Sequence, residues 1–176
     1  MARPVHDALR RQFDALFAML EAGIVQCPEV TWLDETHGPA GWRLAFHTLH
    51  FTDAYLSKGW DDHELAGFAE QGAFLFEPWT KPDGAVFPVP DVTYDKPTLR
   101  GYLAEVQAKA GRVIDALDLD EPSSFGHIDG TRVDVLIYNL RHAAHHAGQL
   151  ALLARRAGGG VVKWSRNGES LVERDT

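Results

Sequence analysis

The sequence predicts an all-α protein, a four-helix bundle with one long crossover between its second and third helices. Three observations predict this. Four segments carry apolar residues at helical spacing. Glycine and proline punctuate their ends. A stretch of nearly forty residues, about 59–96, separates the second segment from the third. With 176 residues, 45% hydrophobic and 24% charged, the chain reads as one globular domain over 1–176, with a tail from about 158.

The first helix is expected from Pro4 to Ala22, with Pro4 suited to a first helical position, a stripe of Leu9, Phe13, Leu16, Phe17 and Leu20, and a stop at Gly23. The second is expected from Pro39 to Lys58. Trp42, Phe46, Leu49, Phe51, Tyr55 and Leu56 make it apolar around much of its girth, as a buried helix requires. The third runs from Pro97 to Leu119 and stops before Glu121-Pro122. The fourth runs from Thr131 to Ala157, opened by a capping box of Thr131 and Asp134 and ended by Gly158-Gly159-Gly160. The crossover holds Phe68, Phe74, Phe76, Trp79 and Phe87. Free aromatics of that number would be unfavourable in solvent, so it should fold back on the helices. The tail should dock through Val161, Val162 and Trp164.

Charge and composition exclude several classes. A net charge of −8 opposes nucleic acid and anionic lipid. Residues 59–96 hold eight acids and two lysines, read as a solvated loop. No apolar run is long enough to span a bilayer. The amphipathic N-terminus is read as a mature helix rather than a signal peptide, and the lone Cys27 suits a cytoplasmic protein.

The chemistry-bearing stretch is Arg141-His-Ala-Ala-His-His-Ala-Gly-Gln-Leu150. Residues four apart share a helix face, about 5–6 Å apart at Cβ, so His142 and His146 can bind one metal ion. His145 lies about 100° away from His146 and is read as partner-facing or supporting. A third ligand must come from elsewhere, and the second helix offers His47 or His50. Three neutral imidazoles with one open position make a catalytic type of site. Asn139 and Gln149 share the face of His142 and His146 and suit hydrogen bonding to substrate or ligand. Tyr55 and Arg141 are weaker candidates. His37, His63 and His127 are read as ordinary loop or core histidines, and His6 as a surface residue of the first turn. The chain has no HExxH, no Glu-x-x-His, no G-x-S-x-G and no phosphate-binding glycine loop, which disfavours metalloprotease, di-iron, serine-hydrolase and nucleotide chemistry.

The pattern resembles the DinB-like superfamily of bacterial metal-binding four-helix bundles. The resemblance rests on Arg141-His142-x-x-His145-His146-x-Gly148-Gln149-Leu150, on FHTLHFTDAYLS with His47 followed by Asp53, Tyr55 and Leu56, and on the lead-in Tyr94-Asp95-Lys96-Pro97-Thr98-Leu99. It spans nearly the whole chain in order. One departure is His50, where the family commonly has an apolar residue. His47 is accordingly placed ahead of His50. The resemblance implies a divalent metal, commonly nickel or zinc, held by His47, His142 and His146, and often a homodimer. It also implies chemistry on a small molecule, in related bundles with low-molecular-weight thiols such as mycothiol or bacillithiol. Three functions follow as expectations: a thiol-dependent transferase, a metal-dependent hydrolase, or a non-catalytic bundle tightened by metal.

Overall fold

The computed structural model describes residues 3–36, 38–63, 74–80, 84, 86–87 and 91–172. The described chain is all-helical but for a two-residue antiparallel ribbon. Its helices are α1 (Pro4–Gln26), α2 (Glu29–Leu33), α3 (Gly41–Leu56), α4 (Lys96–Asp115) and α5 (Arg132–Arg156), with a 3-10 turn at Trp60–Asp62. The ribbon pairs β1 (Trp79–Thr80) with β2 (Val86–Phe87), Trp79 opposite Phe87. Among the described residues no helix is long and apolar enough to cross a membrane.

The four long helices pack as a ring. α1 lies against α4 and α5, and α3 lies against the same two. Phe13, Phe17 and Leu20 of α1, Trp42, Phe46 and Leu49 of α3, Leu99 and Val106 of α4, and Leu136 and Leu150 of α5 meet in one core. Each comes from the apolar stripe that its helical period requires.

The expected helix ends are corrected in places. α1 runs through Gly23 to Gln26. A Cβ on Gly23 would lie 3.1 Å from Leu150 Cδ2, so the glycine serves a close approach to α5 and is no stop. α2 had no sequence signal, because five residues show no period. It buries Trp32 completely, and Trp32 Nε1 donates to the Tyr94 carbonyl at 3.0 Å. α3 starts two residues later than expected and ends at Leu56. Asp95 caps α4 by accepting from the Thr98 N–H at 2.8 Å, and α4 ends at Asp115 rather than Leu119. Leu117 stays buried beyond its end. The capping box of α5 is present, with the Thr131 N–H donating to Asp134 Oδ2 at 2.7 Å.

Three of the described side chains depart from expectation. His6 is buried, not on the surface. Its Nε2 donates to the Leu117 carbonyl at 2.9 Å, and Arg3 donates to the Asp115 carbonyl at 2.7 Å. The unfilled carbonyls at the end of α4 need such partners. In the tail, Val161 and Trp164 are exposed, Trp164 by 76%. The tail settles instead on Ser165, which is buried, and on Gly168, whose φ of 81° lets the chain lie against Asp14. In the crossover, Phe74 and Phe76 do return to α3. Phe68 and His37 lie outside the described residues.

Candidate metal centre

α3 is buried along its whole length except at two positions, His47 and Phe51. They lie four apart and so form one face. That face meets α5, where Ala143 and Ala147 are buried and, being small, let the two helices approach. His142 and His146 flank Ala143 and point at the same place.

His47, His142 and His146 converge there. One nitrogen from each lies within 4.8 Å of the other two, so the three can hold a metal ion. Ring centroids are 4.4 Å apart for His47 and His146, 4.7 Å for His142 and His146, and 5.3 Å for His47 and His142.

Two of the rings are oriented from behind. His47 Nδ1 donates to the Phe74 carbonyl at 2.8 Å. His146 Nδ1 donates to Gln149 Oε1 at 2.7 Å. A carbonyl oxygen only accepts, so both rings carry their proton on Nδ1 and leave the Nε2 lone pair free. This is the outer support that metal-binding imidazoles ordinarily have. His142 is held by ring packing instead. Tyr138 lies parallel to it at 6.4 Å, and Phe51 meets it edge-on at 5.3 Å. Its Nδ1 is buried without a hydrogen-bond partner among the described residues.

Burial also keeps the rings neutral. It pushes His47 down to about 3 and His142 down to about 4, and it lowers His146. The bond to Phe74 partly opposes this at His47, and the neighbouring histidines add to it. At neutral pH all three offer lone pairs rather than protons.

The remaining expected residues separate clearly. His50 lies away from the triad. It stacks flat on Phe74 at 4.1 Å and 3°, is 5% exposed, and has no partner for Nδ1 among the described residues. His145 is exposed, its ring 4.9 Å from His146. Gln149 supports a ring of the triad. Asn139 is fully buried and donates to the Thr52 carbonyl at 3.0 Å, tying α5 to α3. Tyr55 is buried, its hydroxyl 3.1 Å from His127 Nε2 and its ring 6.3 Å from His142. Arg141 is exposed and lies over the Tyr138 ring at 5.2 Å. His63 is half-buried beside Asp53, 3.8 Å away, and neither of its ring nitrogens has a hydrogen-bond partner among the described residues.

Two contributors escaped the sequence. Phe76 stacks on His47 at 4.3 Å and 22°, and the Phe74 carbonyl orients the same ring. Neither has a spacing signal, because the loop that carries them is irregular. Compared with known proteins, the chain matches no family model, no curated protein and no solved structure.

Proposed function

We propose that His47, His142 and His146 bind one divalent metal, nickel or zinc, and that the chain is a metal-dependent enzyme acting on a small molecule. In this reading it is a DinB-like four-helix bundle whose crossover covers the site, and its chemistry is thiol-dependent S-transfer. The observation that carries the reading is the pair of Nδ1 bonds to Phe74 and Gln149. They aim two lone pairs at a common point that a third imidazole also faces.

The donor set fits such an ion. Three neutral imidazoles suit zinc or nickel and leave a position for an exogenous ligand. Such an ion would lower the pKa of a thiol held there and so would supply a thiolate nucleophile at neutral pH. The chain's own residues supply the rest. Phe74 and Gln149 hold the rings in register. Phe51, Phe74 and Phe76 ring the site with apolar surface that limits water. His47 and Phe51 form the one face of α3 that is not fully buried, which leaves a way in.

Among the described residues the group is three imidazoles without a carboxylate, which favours transfer over hydrolysis. A thiol, far more acidic than water, would give its proton to solvent on binding such an ion and depend less on a protein base, whereas a water nucleophile would benefit from one. The test is a thiol panel with an electrophile, read on cobalt-loaded protein by absorption and by product. The expected result is a thiolate-to-cobalt band and thiol-dependent turnover. Hydrolysis without thiol would replace transfer by the hydrolase reading. Tight metal binding with neither band nor turnover would leave a non-catalytic metal bundle.

A further inference from the structure

The face of α5 that carries His142 and His146 continues beyond them. Positions three and four apart stay on one stripe, and the stripe runs on through Gln149 and Leu153 to Arg156. A cavity of about 490 Å³ lies along it. Phe76 and Gln149 line this cavity, and they are the side chains that stack on His47 and bond His146. Leu44, Leu152 and Leu153 line it as well, and Arg156 belongs to it two turns further along α5. By helix rise, Gln149 and Arg156 lie roughly 10 Å apart along the axis.

Arg156 is exposed, and its side chain has no hydrogen bond or ion pair among the described residues. Its neighbour Arg155, also in the last turn, is not part of the cavity wall. Most of the net charge of −8 lies in residues 59–96, and a guanidinium unpaired among the described residues in a cavity beside the candidate centre makes a local site for an anion. A guanidinium takes a carboxylate through two parallel hydrogen bonds. Asp34 lines the same cavity. A second negative charge there disfavours a dianion such as a phosphate monoester and leaves a monoanion as the fitting group.

We propose that the substrate of this site carries a carboxylate at its far end, joined by an apolar linker to the group held at the triad, and that Arg156 binds that carboxylate. The linker would lie along Leu44, Leu152 and Leu153. The near end rests on the proposed metal chemistry; the far end is a property of the cavity alone.

The two can be tested apart. Hexanoate and hexan-1-ol are titrated into metal-free protein by competition NMR, and 6-mercaptohexanoate into metal-loaded protein. A carboxylate on an arginine should favour hexanoate over hexan-1-ol by about tenfold. Arg156→Gln should remove that preference and leave hexan-1-ol within about twofold of its original affinity, since only the charged contact is lost. Metal should then tighten 6-mercaptohexanoate by a further factor of about ten or more, through the thiol. Equal affinities for acid and alcohol, no binding of either, or a preference that survives Arg156→Gln would overturn the carboxylate subsite. An Arg156-dependent preference with no gain from metal would uphold the subsite and overturn the metal chemistry instead.

Discussion

α3 serves two buried polar clusters, one on each side, and they are built in opposite ways. Toward α4, Asp53 is saturated. Lys109 Nζ donates to Asp53 Oδ1 at 2.5 Å, to the Asp53 carbonyl at 3.0 Å and to Ser57 Oγ at 2.7 Å. The Tyr102 hydroxyl donates to Asp53 Oδ2 at 2.9 Å. Toward α5, His47, His142 and His146 bond outward or not at all, and one nitrogen of each stays near the other two. Buried polar groups ordinarily satisfy one another. Asp53 does so with Lys109 and Tyr102 and joins two helices; of the three histidines, His47 and His146 are supported from behind, His142 by ring packing, and all three stay open in front. Saturation is what a structural cluster needs, and three nitrogens converging on one space are what a metal would need.

Substitutions sharpen that contrast, and the largest effect is expected at Asp53. Asp53→Ala leaves the Lys109 ammonium without its counter-charge and the Tyr102 hydroxyl without its acceptor, which should cost about 3–5 kcal/mol of stability. Chemical denaturation would read it, and metal affinity of the fraction still folded should be unchanged. A cost below about 1 kcal/mol would mean that the cluster is not what holds α3 to α4.

At the other cluster the order reverses. His142→Ala should weaken metal binding by more than about 100-fold, beyond what loss of an outer support costs, while costing little stability in the metal-free protein. Gln149→Ala comes next. It removes only the acceptor behind His146, so an affinity loss of about 10–100-fold is expected in a competition assay with a chromogenic chelator. Unchanged affinity would show that the bond to Gln149 does not orient the ring.

The smallest effect concerns His50, which is pushed down to about 3, first by burial and then by His63 and His47. An unfolded histidine titrates near 6.5. Between about 6.5 and about 3 the unfolded chain therefore binds the extra proton, and stability falls as pH falls through that window. His50→Leu removes this contribution together with an unpaired buried nitrogen. Its stability should fall less steeply with acid than that of the parent, and its metal affinity should hold. A loss of metal affinity would make His50 a ligand in place of His47.

The same contrast explains what the sequence made legible. Apolar stripes announced α1, α4 and α5 because each buries one face, and an apolar girth announced α3 because it is buried nearly all round. The pairing of His142 with His146 followed from helix period alone. The choice between His47 and His50 did not, since residues three apart lie on similar faces. Packing decides it, because His50 turns onto Phe74 while His47 faces α5. Gly23 read as a stop because glycine usually is one near a helix end, and its role in admitting Leu150 is a tertiary fact. His6 looked exposed because its partner, the Leu117 carbonyl, lies 111 residues away. Trp164 looked like an anchor by its size, yet the tail is fixed by Ser165 and by a glycine at positive φ. Local period is written in local sequence. Backbone partners such as the Phe74 carbonyl carry no residue-type signature and become visible only once the chain is folded.

The most direct test of the central claim is the metal content of untagged protein purified without chelator, measured beside His142→Ala and His145→Ala. The account predicts about one zinc or nickel per chain in the parent and in His145→Ala, and almost none in His142→Ala. An empty parent that cannot be reconstituted with either metal, or a His142→Ala variant that retains the ion, would contradict it.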